Sequence, residues 1–422
     1  MNSKMRPTKK QYLNIYFQVH QPRRLRRFQI FDVGSDVHYF DDDLNKEILC
    51  RIANECYLPA NQMLLALIKK FPGLRITFSI SGSALEQLQE YAPVVIDSFR
   101  KLANTGAVEF LAETYYHSLA YFIDQDEFID QVNLHRQKVY DLIGVWPVVF
   151  RNTELIYSND IGKAVADLGF KAVLIDGVER ALCGRTPNSL YRHPEADLIL
   201  FPRNYQLSDD VAFRYSDKNW SEWPLTGNKF AEWLSKTPAH QKFVGLGMDY
   251  ETFGEHKKAD SGIFEFFEQF IKEVVREKQF EFVTPSEAIE LIPAQQIISS
   301  AKVISWADEA RNLSAWLGNN MQRDAFGSLY KFHQAIVNSG NPELIDNYRQ
   351  LQTSDHFYYM STKKDQDGNV HQYFSPYGSP YEAFMNYMNV MADLELKVKR
   401  ECSTDIAGQK LLKETSLLPA RH

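Results

Sequence analysis

Residues 281–292 read "EFVTPSEAIELI", an apolar, β-prone run that stops at Thr284 and resumes as a helical pattern. Thr284 can cap a helix, Pro285 suits its first turn, and Glu287, three residues after the cap, completes a capping box. A strand that passes into a capped helix is half of a βα unit. Working back along the chain, the same break recurs. "LNIYFQV" stops at His20, "LRITFSI" at Ser81-Gly82, "AVEFLA" at Glu113 and "PVVF" at Arg151. "KAVLI" stops at Asp176, "DLILF" at Pro202, "KFVGLG" at Met248-Asp249 and "FEFV" at Thr284. Helical stretches such as "NQMLLALIKKF" and "DEFIDQVNLHRQKVYDLI" lie between them.

Strands alternating with helices predict an α/β fold with a mainly parallel sheet, and this many repeats can close into a barrel. In such folds the ligand site lies beyond the carboxyl ends of the strands, where His20, Glu113, Glu154 and Asp249 all fall. The stretch from Asp176 to Lys242 is less regular and reads as loops over one face. After about residue 295 the pattern is helical, which predicts a catalytic barrel over 1–295 and a helical domain over 296–422. Within the latter, "KKDQDGNVHQYFSPYGSP" (363–380) is expected to be an exposed loop.

Composition narrows the function. The chain has 422 residues, 44% apolar and 24% charged, as a soluble globular protein does. Lys and Arg number 47 against 54 Asp and Glu, for a net charge of -7. The run Arg23, Arg24, Arg26 and Arg27 is therefore an isolated basic patch followed at once by acids, and it predicts a solvated loop rather than a nucleic-acid surface. No apolar run is long enough to span a bilayer, and the N-terminus lacks the apolar core of a signal peptide, so a cytoplasmic location and no membrane partner are expected. Cys50, Cys56, Cys183 and Cys402 form no CxxC pair and read as reduced structural thiols. Aromatics at 13% are abundant, and Tyr and Trp can serve as platforms for sugars.

Two carboxylates follow strands with distinctive neighbours. Glu154 lies in "VVFRNTELIYSND", beside Arg151 and Asn152, which could hold and polarise a substrate. Asp249 lies in "GLGMDYETFGEH", where glycines allow close backbone approach. Far apart in sequence, they can meet on a barrel rim and split the roles of nucleophile and general acid, as in a retaining glycosidase. The spacing D-Y-E would put Asp249 and Glu251 on one side of an extended segment, where Glu251 could raise the pKa of Asp249.

These strings, in order, resemble the signature regions of glycoside hydrolase family 57. The resemblance rests on "VHQP" (19–22), "SISGSALEQL" (79–88), the Glu in "FRNTELIYS", the Asp in "GMDYETFGEH" and "TSDHFYYM" (353–360). It implies an incomplete seven-stranded (β/α) barrel followed by a helical domain that contributes to the active site, and retaining cleavage or transfer of α-glucans. By position, it implies Glu154 as nucleophile and Asp249 as acid/base. It also implies substrate contacts from His20, Gln21, Glu113, His117, Arg151, Glu251, Asp355 and His356. Several strings look most like the α-amylase branch of that family. An α-glucan or maltooligosaccharide substrate and no cofactor or metal follow from this reading. A 4-α-glucanotransferase, a metal-dependent enzyme using His20 and His117, and a glycan-binding protein without catalysis stand as alternatives. Oligomeric state is left open.

Overall fold

A computed structural model describes residues 10–415, with side chains described through residue 401. Ten strands occur in it: β1 (Gln11–Val19), β2 (Ile76–Ile80), β3 (Val108–Phe110), β4 (Val149–Arg151), β5 (Ala172–Asp176), β6 (Tyr191–Arg192), β7 (Ile199–Arg203), β8 (Phe243–Asp249), β9 (Phe280–Phe282) and β10 (Gln296–Ile297). The order is β3-β2-β1-β8 in one sheet and β10-β6-β7-β5-β4 in the other. Every pairing is parallel except β6 with β7. β1 is buried along almost its whole length, as a parallel strand covered on both faces must be.

The two sheets approach one another at both ends. Ala112, just past β3, bridges Phe150 of β4, with its N–H 2.9 Å from Val149 O and its carbonyl 2.8 Å from Arg151 N. At the other end β7 and β8 share no ladder, and the N–H of Asn204 donates to Gly245 O at 2.7 Å. The result is an incomplete barrel of seven strands, β1, β2, β3, β4, β5, β7 and β8. All eight strands expected from the sequence exist. The extra one is β9, which lies beside the start of β1, from Gln11 to Leu13, below the point where β2 joins the same edge. The helix after β9, Pro285–Leu291, carries the expected Thr284–Glu287 capping box.

The chain divides into two compact units. One holds the described residues up to Gln21, then Asn45–His117 and Ile129–Leu313; the other holds Pro22–Leu44, Ser118–Phe128 and the described residues from Ser314 on. Residues 296–313 thus stay with the barrel, where Ile304 pairs with Tyr157. The second unit is largely helical, with long helices at Asn320–Ser339 and Pro380–Thr415. It also gathers the excursion after β1. Phe28 N donates to Asn386 Oδ1 (2.6 Å), the Tyr39 hydroxyl donates to Asp393 Oδ2 (2.7 Å), and Arg23 lies 3.9 Å from Asp42.

Two expectations fail here. The stretch from Asp176 to Lys242, read as loops, holds helices at Glu179–Leu182, Tyr205–Asp209 and Gly227–Ser235. Within the segment 363–380, Asp365–Phe374 is a helix rather than an exposed loop. Its anchor is His371, buried, stacked on Tyr358 with ring centroids 3.7 Å apart and bonded through Nδ1 to Tyr358 O. A polar stretch containing Gly368 gave no sign of that tertiary contact. Among the described residues no helix is long and apolar enough to cross a membrane. Cys402 lies beyond the described side chains; Cys50, Cys56 and Cys183 are free thiols.

Candidate active site

The candidate side chains of the barrel sit where its strands end. His20 follows β1 by one residue, and its Nδ1 is 2.7 Å from Oγ of Ser81, which follows β2 and caps the next helix by accepting from Ala84 N. Glu113 follows β3 and is fully buried. It is nevertheless well supplied with donors: Ser79 Oγ (2.9 Å) and Gln18 Nε2 (3.1 Å) donate to Oε1, and His117 Nδ1 lies 2.8 Å from Oε2. The N–H of Glu113 donates to Nδ1 of His135, whose Nε2 donates to Ile80 O. His135 is thereby fixed as the neutral tautomer, and burial lowers its pKa.

His117 links two carboxylates. Its Nε2 lies 2.8 Å from Glu154 Oε1, so with both nitrogens facing carboxylate oxygens the ring is a doubly donating imidazolium. It also stacks on His20, with centroids 4.0 Å apart. Burial works against its charge, but the bonds to Glu113 and Glu154 raise its pKa to about 9. In turn, burial opposes ionisation of Glu113, yet His117, Arg151 and His135 bring it down to about 2. Glu154 behaves alike: burial pushes it up, and the stronger sum of His117, Arg151 and the Trp306 N–H holds it below the usual carboxylate range.

Glu154 sits in a short turn after β4 with φ +57°, and Leu155 follows at φ +51°. Non-glycine residues seldom adopt this left-handed region, and two in succession mark a backbone held by its surroundings. The holding contacts are visible. Trp306 N donates to Glu154 O at 3.2 Å, and the indole Nε1 donates to Glu154 Oε2 at 2.7 Å.

Asp249, the last residue of β8, is paired in register with Gln18 of β1. Burial first, then the charge of Glu154, raise its pKa to about 6, against Arg151, His117 and Arg203. The chain turns into a short 3-10 segment at Tyr250–Thr252 rather than running on extended. Glu251 is buried all the same, and accepts from the Tyr57 hydroxyl and, at 3.5 Å, from Gln21 Nε2. Burial and the neighbouring Asp249 raise its pKa to about 8. The site therefore holds an anionic pair bridged by His117 and a second pair of carboxyl groups disposed to keep protons.

Arg151 ends β4 with its side chain fully buried, Nη1 3.9 Å from Glu113 Oε2. Its place is beneath the carboxylates, where its charge reaches Glu113, Glu154 and Asp249. Asp355 and His356 lie in the second unit, in the helix Ser354–Tyr358, with the His356 ring 5.7 Å from that of Tyr387. Sequence reasoning gave no role to Gln18, Tyr57, Asp176 or Arg203. The last two do stand at the ends of β5 and β7, and that position was the available signal.

Comparison with known proteins bears on this arrangement. The model of glycosyl hydrolase family 57 matches residues 14–301. A protein of Methanocaldococcus jannaschii named "Putative alpha-amylase" is 42% identical over 396 residues, covering 91% of this chain and 84% of its own. A branching enzyme of Thermococcus kodakaraensis has a similar fold, with TM-score 0.67 at 14% identity, covering 86% of this chain and 87% of its own. The 4-α-glucanotransferase of Thermococcus litoralis gives TM-score 0.61 at 15% identity over 82% of this chain, which spans 56% of that longer protein.

Proposed function

The chain belongs to glycosyl hydrolase family 57, and from that premise we propose that it cleaves α-1,4 bonds of α-glucans with retention, through a covalent glycosyl-enzyme. The observation that carries this reading is the opposed setting of Glu154, held ionised, and Asp249, inclined to keep its proton up to about pH 6. In the first step a Glu154 oxygen attacks the anomeric carbon while Asp249 gives its proton to the departing glycosidic oxygen. In the second, Asp249 takes a proton from water, which attacks the anomeric carbon and releases Glu154 as carboxylate. If a sugar hydroxyl replaces water, the same intermediate yields transfer. No cofactor enters either step.

Of the remaining residues, half-buried His20 is suited to touch sugar, and Gln21 and Glu251 to orient it. Glu113, His117 and Arg151 are buried and suited to hold Glu154 in place and ionised. Family resemblance assigns Asp355 and His356 to the sugar as well. The free thiols Cys50, Cys56 and Cys183 support a reducing, cytoplasmic setting. Incubation with maltoheptaose, with products separated by chromatography, tests the activity. Glucose and short maltooligosaccharides are expected; products longer than the substrate would assign the transferase reaction instead. No turnover, in a protein that still binds the sugar, would overturn the enzymatic reading.

A further inference from the structure

Trp306 has no role in the reaction as described, yet it is the residue most closely tied to Glu154. Ile304 pairs with Tyr157 through two backbone bonds of 2.9 Å, which draws residues 304–306 alongside the turn that carries Glu154. Trp306 then makes two bonds to that one residue, backbone to backbone and indole to carboxylate. The guanidinium groups of Arg151 and Arg203 lie over the indole ring, 4.9 and 5.4 Å from it. Such contacts are attractive and hold the indole ring in place.

The indole is itself held from behind. Arg203 and Arg311 each bond to both Asp176 and Asp209: Arg203 to Asp176 at 3.1 Å and to Asp209, Arg311 to Asp176 at 2.7 Å and to Asp209 at 3.0 Å. Two charges of each sign thus close a square, with Asp176 fully buried, and Arg203 Nε reaches Gly247 O on β8 at 2.6 Å. Gly247 itself is required by the neighbouring strand, since a Cβ there would meet the Tyr16 ring at 2.6 Å. With Asp176 and Arg203 buried and Asp209 and Arg311 partly exposed, the square adds little net stability, but its two-by-two bonding holds the four side chains in one arrangement. Arg311 carries that geometry into residues 304–313, and Arg180 adds bonds to Ala310 O and Arg311 O.

We propose that Trp306 is a positioning residue for the nucleophile, its indole N–H fixing the Glu154 carboxylate while the Asp176–Arg203–Asp209–Arg311 square fixes the indole. The inference rests on the reading of Glu154 as nucleophile. With His117 on Oε1 and Trp306 on Oε2, the plane of the carboxylate is set by two donors from different parts of the chain. They differ in kind. His117 can lose its proton at high pH, whereas the indole donates at every working pH. The charged and titratable groups facing Glu154 are His117, Arg151 and Asp249, with Glu113 behind His117 and Arg203 behind Trp306.

The test replaces Trp306 in the full chain by β-(3-benzothienyl)alanine, which keeps the bicyclic shape and puts sulfur in place of N–H, alongside Trp306→Phe. A bond to a charged group lost without a change of shape is expected to lower kcat roughly ten- to a hundredfold with KM little changed. The acidic limb of kcat/KM should also move up by roughly one pH unit, because the ionised form of Glu154 loses a donor. Wild-type kcat and an unmoved limb in the benzothienyl protein would overturn the proposal and leave Trp306 a packing residue. Should neither variant fold, the wild type still decides: of its six indole N–H resonances, one should titrate with Glu154 and shift in Glu154→Gln, and the absence of any such resonance would refute the bond. Glu154→Gln separates the two levels. Full activity in that variant sinks the nucleophile assignment itself, whereas an inactive Glu154→Gln beside an unaffected benzothienyl protein sinks only the role of Trp306.

Discussion

Glu154 and Asp249 are both partly buried carboxylates at strand ends, and what separates them is the company each keeps. Glu154 accepts from an imidazolium and an indole; for Asp249 the leading influences are burial and the negative charge of Glu154 itself. Both residues could be picked out of the sequence because strand ends can be read there. A raised pKa for Asp249 was expected too, but from Glu251, whereas its cause is burial and then Glu154. The His117 and Trp306 contacts that hold Glu154 ionised were not legible, because these residues meet it only after folding. The expected consequence is a bell-shaped kcat/KM whose alkaline limb lies near pH 6, where Asp249 loses its proton. Asp249→Asn should lose most activity on maltooligosaccharides and keep far more on α-glucosyl fluoride, which leaves without a proton, and on that substrate the alkaline limb should vanish. Azide added to this variant should give the α-azide, the product of two inversions; a β-azide would reverse the roles of Glu154 and Asp249. The His117 bridge makes a separate prediction about stability. Its folded pKa of about 9 lies above the ordinary 6.5, so its stabilisation is full below about 6.5 and is lost as pH rises through 9. Thermal unfolding should therefore show a fall in Tm between those pH values that is smaller in His117→Gln; equal falls in both proteins would remove His117 as the cause.

At the level of single elements, local chemistry was legible where it is self-contained. Thr284, Pro285 and Glu287 specify the start of a helix with no help from the rest of the chain, and the capping box forms as expected. Thr284→Ala should cost about 1 kcal/mol, seen as a lower Tm with kcat unchanged, because this helix follows β9, outside the ring of seven strands that carries the site. An unchanged Tm would mean that the box adds nothing to the folded state. Legibility ended where an element depends on a distant partner. The helix Asp365–Phe374 needs His371 against Tyr358, and the pairing of Ile304 with Tyr157 joins segments that look unrelated in sequence. β9 shows the intermediate case. Its apolar alternation marked it as a strand, but only pairing with the start of β1 decides that it stands outside the ring.

At the scale of the whole molecule, a change of pattern near residue 295 suggested a cut between barrel and helices, yet compactness does not follow chain order. Residues 22–44 and 118–128 leave the barrel for the helical unit, while residues 296–313 remain with the barrel and bring Trp306 to Glu154. Periodicity reports what each segment is, and it carries no information about where a loop between two strands will pack. A chain cut at 295 would therefore lose more than a domain, since it removes Trp306 and the helices that receive both excursions. Whether the helical unit takes part in catalysis is better tested by one atom than by truncation. Asp355 is assigned to sugar contact by resemblance, and Asp355→Asn keeps the volume of the side chain while removing its charge. If the carboxylate accepts from a sugar hydroxyl, its loss should lower kcat/KM on maltooligosaccharides roughly ten- to a hundredfold, with Tm unchanged. A wild-type kcat/KM in Asp355→Asn would confine the reaction to the barrel's own residues. A fall in Tm accompanying the loss would instead trace the effect to the setting of Asp355 beside buried Tyr359, so melting and kinetics must be read on the same preparation.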